Sequence, residues 1–538
     1  MSKRFVENHP QQRRNLSFHR NLERLGVRCG RFLHQGKEDF AMNLYSLGSS
    51  VLVGSWLVGL GSTCAHAATY TVTTLSDSGR GSLREAIERT NRTSEDDTII
   101  FAPRVRGTLG IKTPLPNLSG LLSIMGPRRE RLNVRRIGKA RYRIFTVAEK
   151  GNVLLSGMTL SNGFAPATAD YYENAAGGGG VRNEGRLTMR NCVVTGNRSV
   201  SNGGGLFNIG AQLTLMDCLV TDNQSLALPL KDRYSDRPDF TASVGGGGLY
   251  NLSDRAELLV ANCTFSRNVC HNKGDGGAIK NVSDATVRIV RSTLTQNKAD
   301  SGGALAGYPG ADMGGGGGNF DVAESLLAHN KAVSGGAIAT QGTTTLTNST
   351  VSANTATQGG GAIVTGFGKV ELTNCTITGN IAPEGAGVNC ILYSIFSRCI
   401  IAGNLLPSHA PGTDISFFDP SSSRNPRAKA KPRPAYVASY GGNFIGRGDA
   451  KTLAYFHEMG DRNNVSVADL KLGPLADNGG PTKTHALLSG SSAIGQGVSY
   501  DEDSTSTDQR GVLRTLGKDG TSDTGAFQTI YKSTAKTK

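Results

Sequence analysis

Carboxylates are the side chains in this 538-residue chain with the widest chemical reach. For acid/base work they must stand in pairs at a set separation, and to hold calcium they must converge beside a Lys or Arg. The run Asp501-Glu502-Asp503 could take calcium, although a solvated acidic loop explains it more simply. His329 and His485 each stand alone and read as structural or solvated. The glycine run 314–318 lacks the Lys-Ser/Thr that follows in a phosphate loop, so a corner is the better reading. No Cys or His spacing resembles a zinc site. Recognition has better material. Tyr171, Tyr172, Tyr234 and Phe240 fall in two polar segments and can act together if the fold brings those segments to one edge.

An internal repeat is what could position them. A small residue followed five positions later by Asn recurs nine times, at Gly157, Cys192, Cys218, Cys263, Ser292, Ser325, Ser349, Cys375 and Cys399. The asparagines are Asn162, Asn197, Asn223, Asn268, Asn297, Asn330, Asn354, Asn380 and Asn404, and copies follow one another at 24 to 45 residues. Within a copy the apolar residues alternate, as in Leu213, Leu215, Cys218 and Val220, with a one-residue shift between Leu215 and Cys218 that marks a bend. A second element recurs upstream, for example Gly276-Gly277-Ala278-Ile279 and Gly335-Gly336-Ala337-Ile338. Each unit therefore reads as three short strands joined at corners.

One such unit cannot bury its apolar face alone, and stacking units removes the difficulty. Strand, corner and strand without intervening helices imply an all-β, right-handed parallel β-helix with a short N-terminal capping helix. Met189, Leu215, Val260, Ile289, Val322, Leu346, Leu372 and Phe396 would then form one internal column, and the asparagines a side-chain ladder. Cys192, Cys218, Cys263, Cys375 and Cys399 share an inward position with Ser, which implies small buried thiols rather than a disulfide framework. Two outward columns read Asn191, Asp217, Asn262, Arg291, Glu324, Asn348, Asn374, Arg398 and Thr188, Thr214, Leu259, Arg288, Asp321, Thr345, Glu371. Neither puts carboxylates on adjacent turns, and the third face does not align well enough to read. Insertions at 164–176, 224–244 and 405–440 are expected to leave along one edge and bring Tyr171, Tyr172, Tyr234 and Phe240 together.

The net charge of +15 sits in three segments, 1–41, 127–143 and 421–434. The first flanks a targeting segment and the last is a Pro/Ser-rich linker, so no nucleic-acid groove is implied. The middle run reads as solvent-facing arginines, with a site for an acidic glycan or lipid headgroup as the alternative. The apolar stretch 42–60 followed by Ala65-His66-Ala67 reads as a signal peptide cleaved after Ala67, leaving a mature monomer without a transmembrane span. Seventy-one glycines without a three-residue period exclude collagen and suit many tight corners.

Residues 70–101, with Ser82-Leu83-Arg84-Glu85-Ala86-Ile87, resemble the CSLREA-type N-terminal domain of bacterial exported proteins, with Gly81 in place of its Cys. Phe265-Ser266-Arg267-Asn268 and the Gly-Gly-Ala-Ile elements resemble polymorphic outer-membrane protein repeats. Asp477-Asn478-Gly479-Gly480-Pro481, Asp508-Gln509-Arg510-Gly511 and Gly525-Ala526-Phe527 resemble a choice-of-anchor Q region. The organisation that follows is a leader at 1–67, a cap at 68–110, β-helix repeats at 111–404, a basic insertion at 405–440, last turns with the C-terminal region at 441–530, and a basic tail at 531–538. These resemblances imply an exported cell-surface or extracellular protein. Two functions stay open: adhesin-like binding of a glycan or surface protein without a cofactor, and a polysaccharide lyase or glycoside hydrolase of the pectate-lyase-like fold.

Overall fold

The computed structural model describes residues 67–530 except 167–176, 227–243, 253–257, 283–285, 309–316, 367, 391–392, 418–435, 498–506 and 515–520. Its strands alternate as a half-buried strand must. In Arg186–Arg190, Leu187 and Met189 are buried between an exposed Arg186, a half-buried Thr188 and an exposed Arg190. A strand of this kind pairs in parallel with its equivalents one turn before and after, as Met189 does with Leu155 and Leu215. Repetition builds three parallel sheets of 13, 12 and 10 strands. The first runs from Thr69–Val72 to Tyr436–Ser439, the second from Gly107–Ile111 to Phe444–Ile445, and the third from Phe145–Val147 to Ile415–Phe417. The result is a right-handed parallel β-helix.

The first-sheet column Met189, Leu215, Val260, Ile289, Val322, Leu346, Leu372, Phe396 pairs without slippage, and every member is fully buried. Each such side chain contributes roughly 1.5–3 kcal/mol. At the corner into the second sheet, Asn191, Asp217, Asn262, Arg291, Glu324, Asn348, Asn374 and Arg398 all take positive φ, between 46° and 55°. This left-handed residue turns the chain and returns the next side chain inward, which is the one-residue shift read from the sequence. The Gly pairs divide two tasks: Gly276 supplies φ +66°, while a Cβ on Gly277 would stand 2.2 Å from the Gly303 carbonyl oxygen of the next turn.

Two sequence expectations need correcting. The repeat at Gly157 and Asn162 is one residue out of register, since Ser161 pairs with Thr195 and Met158 with the Cys192 position. Gly163 therefore stands at the ladder position, where its backbone N–H donates to Asn197 Oδ1 at 2.8 Å. Residues 405–440 are also not an insertion at the edge shared by the other two. The chain reaches the third sheet at Ile415–Phe417 before 418–435 and resumes in the first sheet at Tyr436–Ser439, so that segment joins the third sheet to the first. The reason is Asp414, whose Oδ1 accepts from Asn404 N and Nδ2, both at 2.7 Å, while Oδ2 accepts from Arg447 N at 2.7 Å. That carboxylate ends the ladder and fixes the strand without a Gly pair.

Burial pushes the Asp414 carboxyl up to about 6, against the pull of the Arg447 and Asn404 N–H groups. Between about pH 4 and 6 the folded chain keeps a proton that the unfolded chain has released. The stability tied to this group is thus full below about pH 4 and lost as pH rises through about 6, by at most about 3 kcal/mol. Unfolding of the C-terminal turns, followed from pH 4 to 7, should lose that slope in Asp414→Asn; an unchanged slope would remove the assignment.

At the N-terminal end the helix Leu83–Thr90 is capped by Ser82, whose Oγ accepts from Glu85 N at 3.2 Å. Its Leu83, Ala86 and Ile87 are buried in the main core. The strand Asp96–Phe101 is second in the first sheet, because Thr69–Val72 pairs ahead of it. No helix among the described residues is long and apolar enough to cross a membrane.

Candidate functional site

The second-sheet corner explains why Asn recurs. Asn197, Asn223, Asn268, Asn297, Asn330, Asn354, Asn380 and Asn404 are buried, and each but the last donates from Nδ2 to Oδ1 of the next at 2.9–3.0 Å. The backbone N–H of each of these donors gives to the same oxygen, so one side chain closes a backbone group and extends the ladder.

The inward column of Cys192, Cys218, Cys263, Ser292, Ser325, Ser349, Cys375 and Cys399 does more than fill small spaces. Sγ or Oγ donates to the carbonyl two residues back, as in Cys192 to Arg190 O at 3.3 Å and Ser292 to Val290 O at 2.8 Å. The same atom accepts the preceding turn's N–H, as from Cys218 N to Cys263 Sγ at 3.4 Å and from Cys263 N to Ser292 Oγ at 3.0 Å. Cys and Ser interchange because both donate and accept there. Cys270 and Cys390 lie outside this column, and all seven described cysteines are buried thiols. Burial pushes Cys270 up to about 12 and Cys390 to about 11, which withholds the reactive thiolate.

Sequence reasoning missed a second ladder on the third sheet. Asn183 donates to Asn208, Asn208 to Asn251 and Asn251 to Asn281, at 2.6, 2.8 and 2.8 Å. A signal was present: Asn stands two residues after Val181, Leu206, Leu249 and Ile279, each preceded by Gly or Ala.

Four outward carboxylates are held by cations. Arg267 grips Asp222 through Nε and Nη2, both at 2.8 Å, Arg288 meets Asp321 at 3.1 Å, Arg291 meets Glu324 at 3.7 Å, and Lys369 contacts Glu371. Asp217 accepts from Asn262 Nδ2 at 3.4 Å. In the basic run, Arg128, Arg129 and Glu130 border a cavity of about 390 Å³. Arg129 pairs there with Glu130 at 3.0 Å and donates to Asp217 O at 3.1 Å. No group of three or more His, Cys, Asp or Glu among the described residues is arranged to hold a metal. Asp501-Glu502-Asp503 lie outside the described residues.

The C-terminal motifs fold back over the outside of the second sheet. Thr482 Oγ1 donates to Glu324 O at 3.1 Å, Thr350 Oγ1 to Gln509 Oε1 at 2.6 Å, and Ala526 N to Thr376 Oγ1 at 3.0 Å. His485 belongs to this seam. Its Nδ1 faces Gly473 O at 2.8 Å, so Nδ1 carries the proton and Nε2 accepts from Ser352 Oγ at 2.8 Å. Burial lowers its pKa and keeps the ring neutral.

Tyr171, Tyr172, Tyr234 and Phe240 lie outside the described residues. The anchors of their segments are described. Phe164–Ala165 and Gln224–Ser225 flank Arg198–Ser199 in one sheet, while Gly177 bridges Asn202 and Gly245 bridges Asp275. The anchors of both segments thus lie along one edge, separated by one intervening turn.

A described aromatic strip stands on the first sheet instead. Tyr393 pairs with Tyr436 in register, with ring centroids 6.3 Å apart and planes tilted by 39°. These rings are 40% and 56% exposed, and Tyr440, on the same side four residues along, is 50% exposed. Ile395 and Ala438 lie between them, so the strip extends about 13 Å along the strand.

The third sheet carries the opposite arrangement. Its outward column Arg182, Phe207, Tyr250, Lys280 is closed over, and Lys280 is fully buried. Lys280 Nζ contacts Asp275 Oδ2 at 2.7 Å and donates to Val244 O at 3.2 Å, with the Tyr250 and Tyr308 rings 5.9 and 5.7 Å away.

The family described as a right-handed beta-helix region matches residues 143–326. Among solved structures, a protein of Geobacillus virus E2, ORF18, is 12% identical with a TM-score of 0.35, over 63% of this chain and 59% of the viral one. The pectate lyase Pel9A is 14% identical with a TM-score of 0.38, over 87% of this chain and 98% of its own. The chain thus spans 59% of the viral protein's length. No curated protein matches the chain.

Proposed function

We propose that this chain is an exported surface protein that binds glycan chains through the open outer face of its first sheet. The observation that carries this reading is the Tyr393, Tyr436 and Tyr440 strip, three exposed aromatic rings at the end of one hydrogen-bonded sheet. Sugar rings present apolar C–H faces that stack on such rings, and a support already hydrogen-bonded into a sheet costs little ordering entropy. The resemblances carried by residues 70–101 and 477–527 support export to a surface, and adhesin-like recognition suits that place. Hydrolysis or elimination would ask for carboxylates able to converge on a substrate, whereas Asp222, Asp321, Glu324 and Glu371 are each tied to a cation. That pairing favours binding over chemistry.

Tyr436→Ala is the test. Against a panel of neutral and acidic polysaccharides it should weaken binding about tenfold, roughly 1.4 kcal/mol, and the double variant with Tyr393→Ala further. Thermal unfolding should barely change, since the ring is more than half exposed. Unaltered binding would overturn the placement, and product release from any polysaccharide would overturn the reading as a binding protein.

A further inference from the structure

We propose that Lys280 and Asp275 condense into an intramolecular amide, a covalent staple across one corner of the third sheet. The inference is independent of glycan binding and rests on four observations. Lys280 Nζ stands 2.7 Å from Asp275 Oδ2, so nucleophile and carboxyl are already in contact. Lys280 is fully buried, and the Asp275 side chain is 18% exposed. Two tyrosines wall the ammonium, and Tyr308 is itself bound to Ser301 through its hydroxyl. The backbone on both sides is fixed: Asp275 bridges Gly245 and Ser301, while Lys280 lies in the strand Ile279–Val282, paired with Leu249–Leu252 and Leu305–Tyr308.

These conditions favour the reaction in both rate and equilibrium. Holding an amine against a carboxyl raises its effective concentration by orders of magnitude. Keeping the fully buried ammonium charged costs several kcal/mol before its attraction to Asp275 is counted, and the amide removes that charge. The neutral amine is the form that attacks carbonyl carbon, and it arises here by proton transfer to the carboxylate in contact with it. The balance needs no other reactant. The ammonium passes one proton to the carboxylate, giving amine and carboxylic acid. The amine lone pair attacks Cγ, the C–N bond forms, and the C–O bond breaks. The departing oxygen leaves with a second amine proton as water, and one hydrogen stays on the amide nitrogen.

The intact mass of the purified chain should fall about 18 Da, one water, below the mass calculated from its determined N-terminus. Asp275 precedes Gly276, and a cyclic imide at that step would lose the same mass, so the experiment separates the two. In the wild-type chain an amide blocks trypsin at Lys280, and fragmentation should give a branched peptide joining Asp275 to Lys280. An imide leaves Lys280 cleavable and opens with hydroxylamine. Lys280→Arg abolishes the loss if the amide is its source and leaves it intact if an imide is. An unshifted mass with free cleavage at Lys280, or a loss that survives Lys280→Arg, overturns the proposal. The wild-type map requires no variant to fold.

Discussion

Replacing Asn297 by leucine should destabilise the middle of the solenoid by about 3–5 kcal/mol, a large effect for one side chain of similar volume. Asn297 Oδ1 accepts from Asn268 N and Nδ2, both at 3.0 Å, and its Nδ2 donates to Phe265 O and Asn330 Oδ1, both at 3.0 Å. Leucine leaves the Asn268 N–H and one of its amide hydrogens unpartnered in a fully buried site, and removes one of the donors to the Phe265 carbonyl. Each such orphan costs about 1–3 kcal/mol, and leucine's extra apolar burial returns only part. Because turns interact chiefly with their neighbours, the damage should be local. Hydrogen exchange should accelerate most at Asn268 and Asn330 and least at the two ends. A shift below about 1 kcal/mol would mean that the ladder is an accompaniment of the fold and not a cause of it.

Asp508→Ala should release the C-terminal segment while leaving the β-helix folded. The Asp508 side chain is fully buried; Oδ1 accepts from Arg510 N and Val512 N, at 2.8 and 3.0 Å, and Oδ2 from Arg510 Nη2 and Gln528 N, at 2.7 and 2.9 Å. Alanine strands three N–H groups and leaves the guanidinium of Arg510, only 6% exposed, without its counter-charge. Breaking one side of such a pair costs about 3–5 kcal/mol. The contacts of Arg510 with Asn478 O, Gln528 O and the Phe527 ring cannot supply the missing negative charge. Limited proteolysis should then cut first among residues 472–528, with far-UV dichroism nearly unchanged. Protection equal to that of the unaltered chain would show that the fold-back is held mainly by its seam with Thr350 and Thr376.

How much of this could be read from the sequence depended on whether one position repeats one demand. The Asn column was legible because every turn from Asn197 to Asn404 asks for the same side chain at the same offset from a Cys or Ser. The register failed at Asn162, where the ladder is met by the backbone of Gly163 and Met158 fills the place that Cys and Ser hold elsewhere. The second ladder was overlooked because it lasts four turns, after which Gly307, Thr340 and Thr365 take its position. Burial of Lys280 was not legible, since alternation assigns it outward and only the closure of that face reveals a dry lysine. The seam between Ala526 and Thr376 joins residues 150 positions apart, beyond the reach of local pattern.

The central claim is that successive turns lie directly over one another, so outward residues of one column should be spaced by a single strand separation. Thr188, Thr214, Leu259, Arg288, Asp321, Thr345 and Glu371 form such a column. Spin-label distances measured for the pairs Thr214/Thr345, Thr188/Thr345 and Thr188/Glu371, four, five and six turns apart, should rise in steps to about 19, 24 and 29 Å. Separations that do not grow by about 5 Å for each added turn would contradict the stacked solenoid.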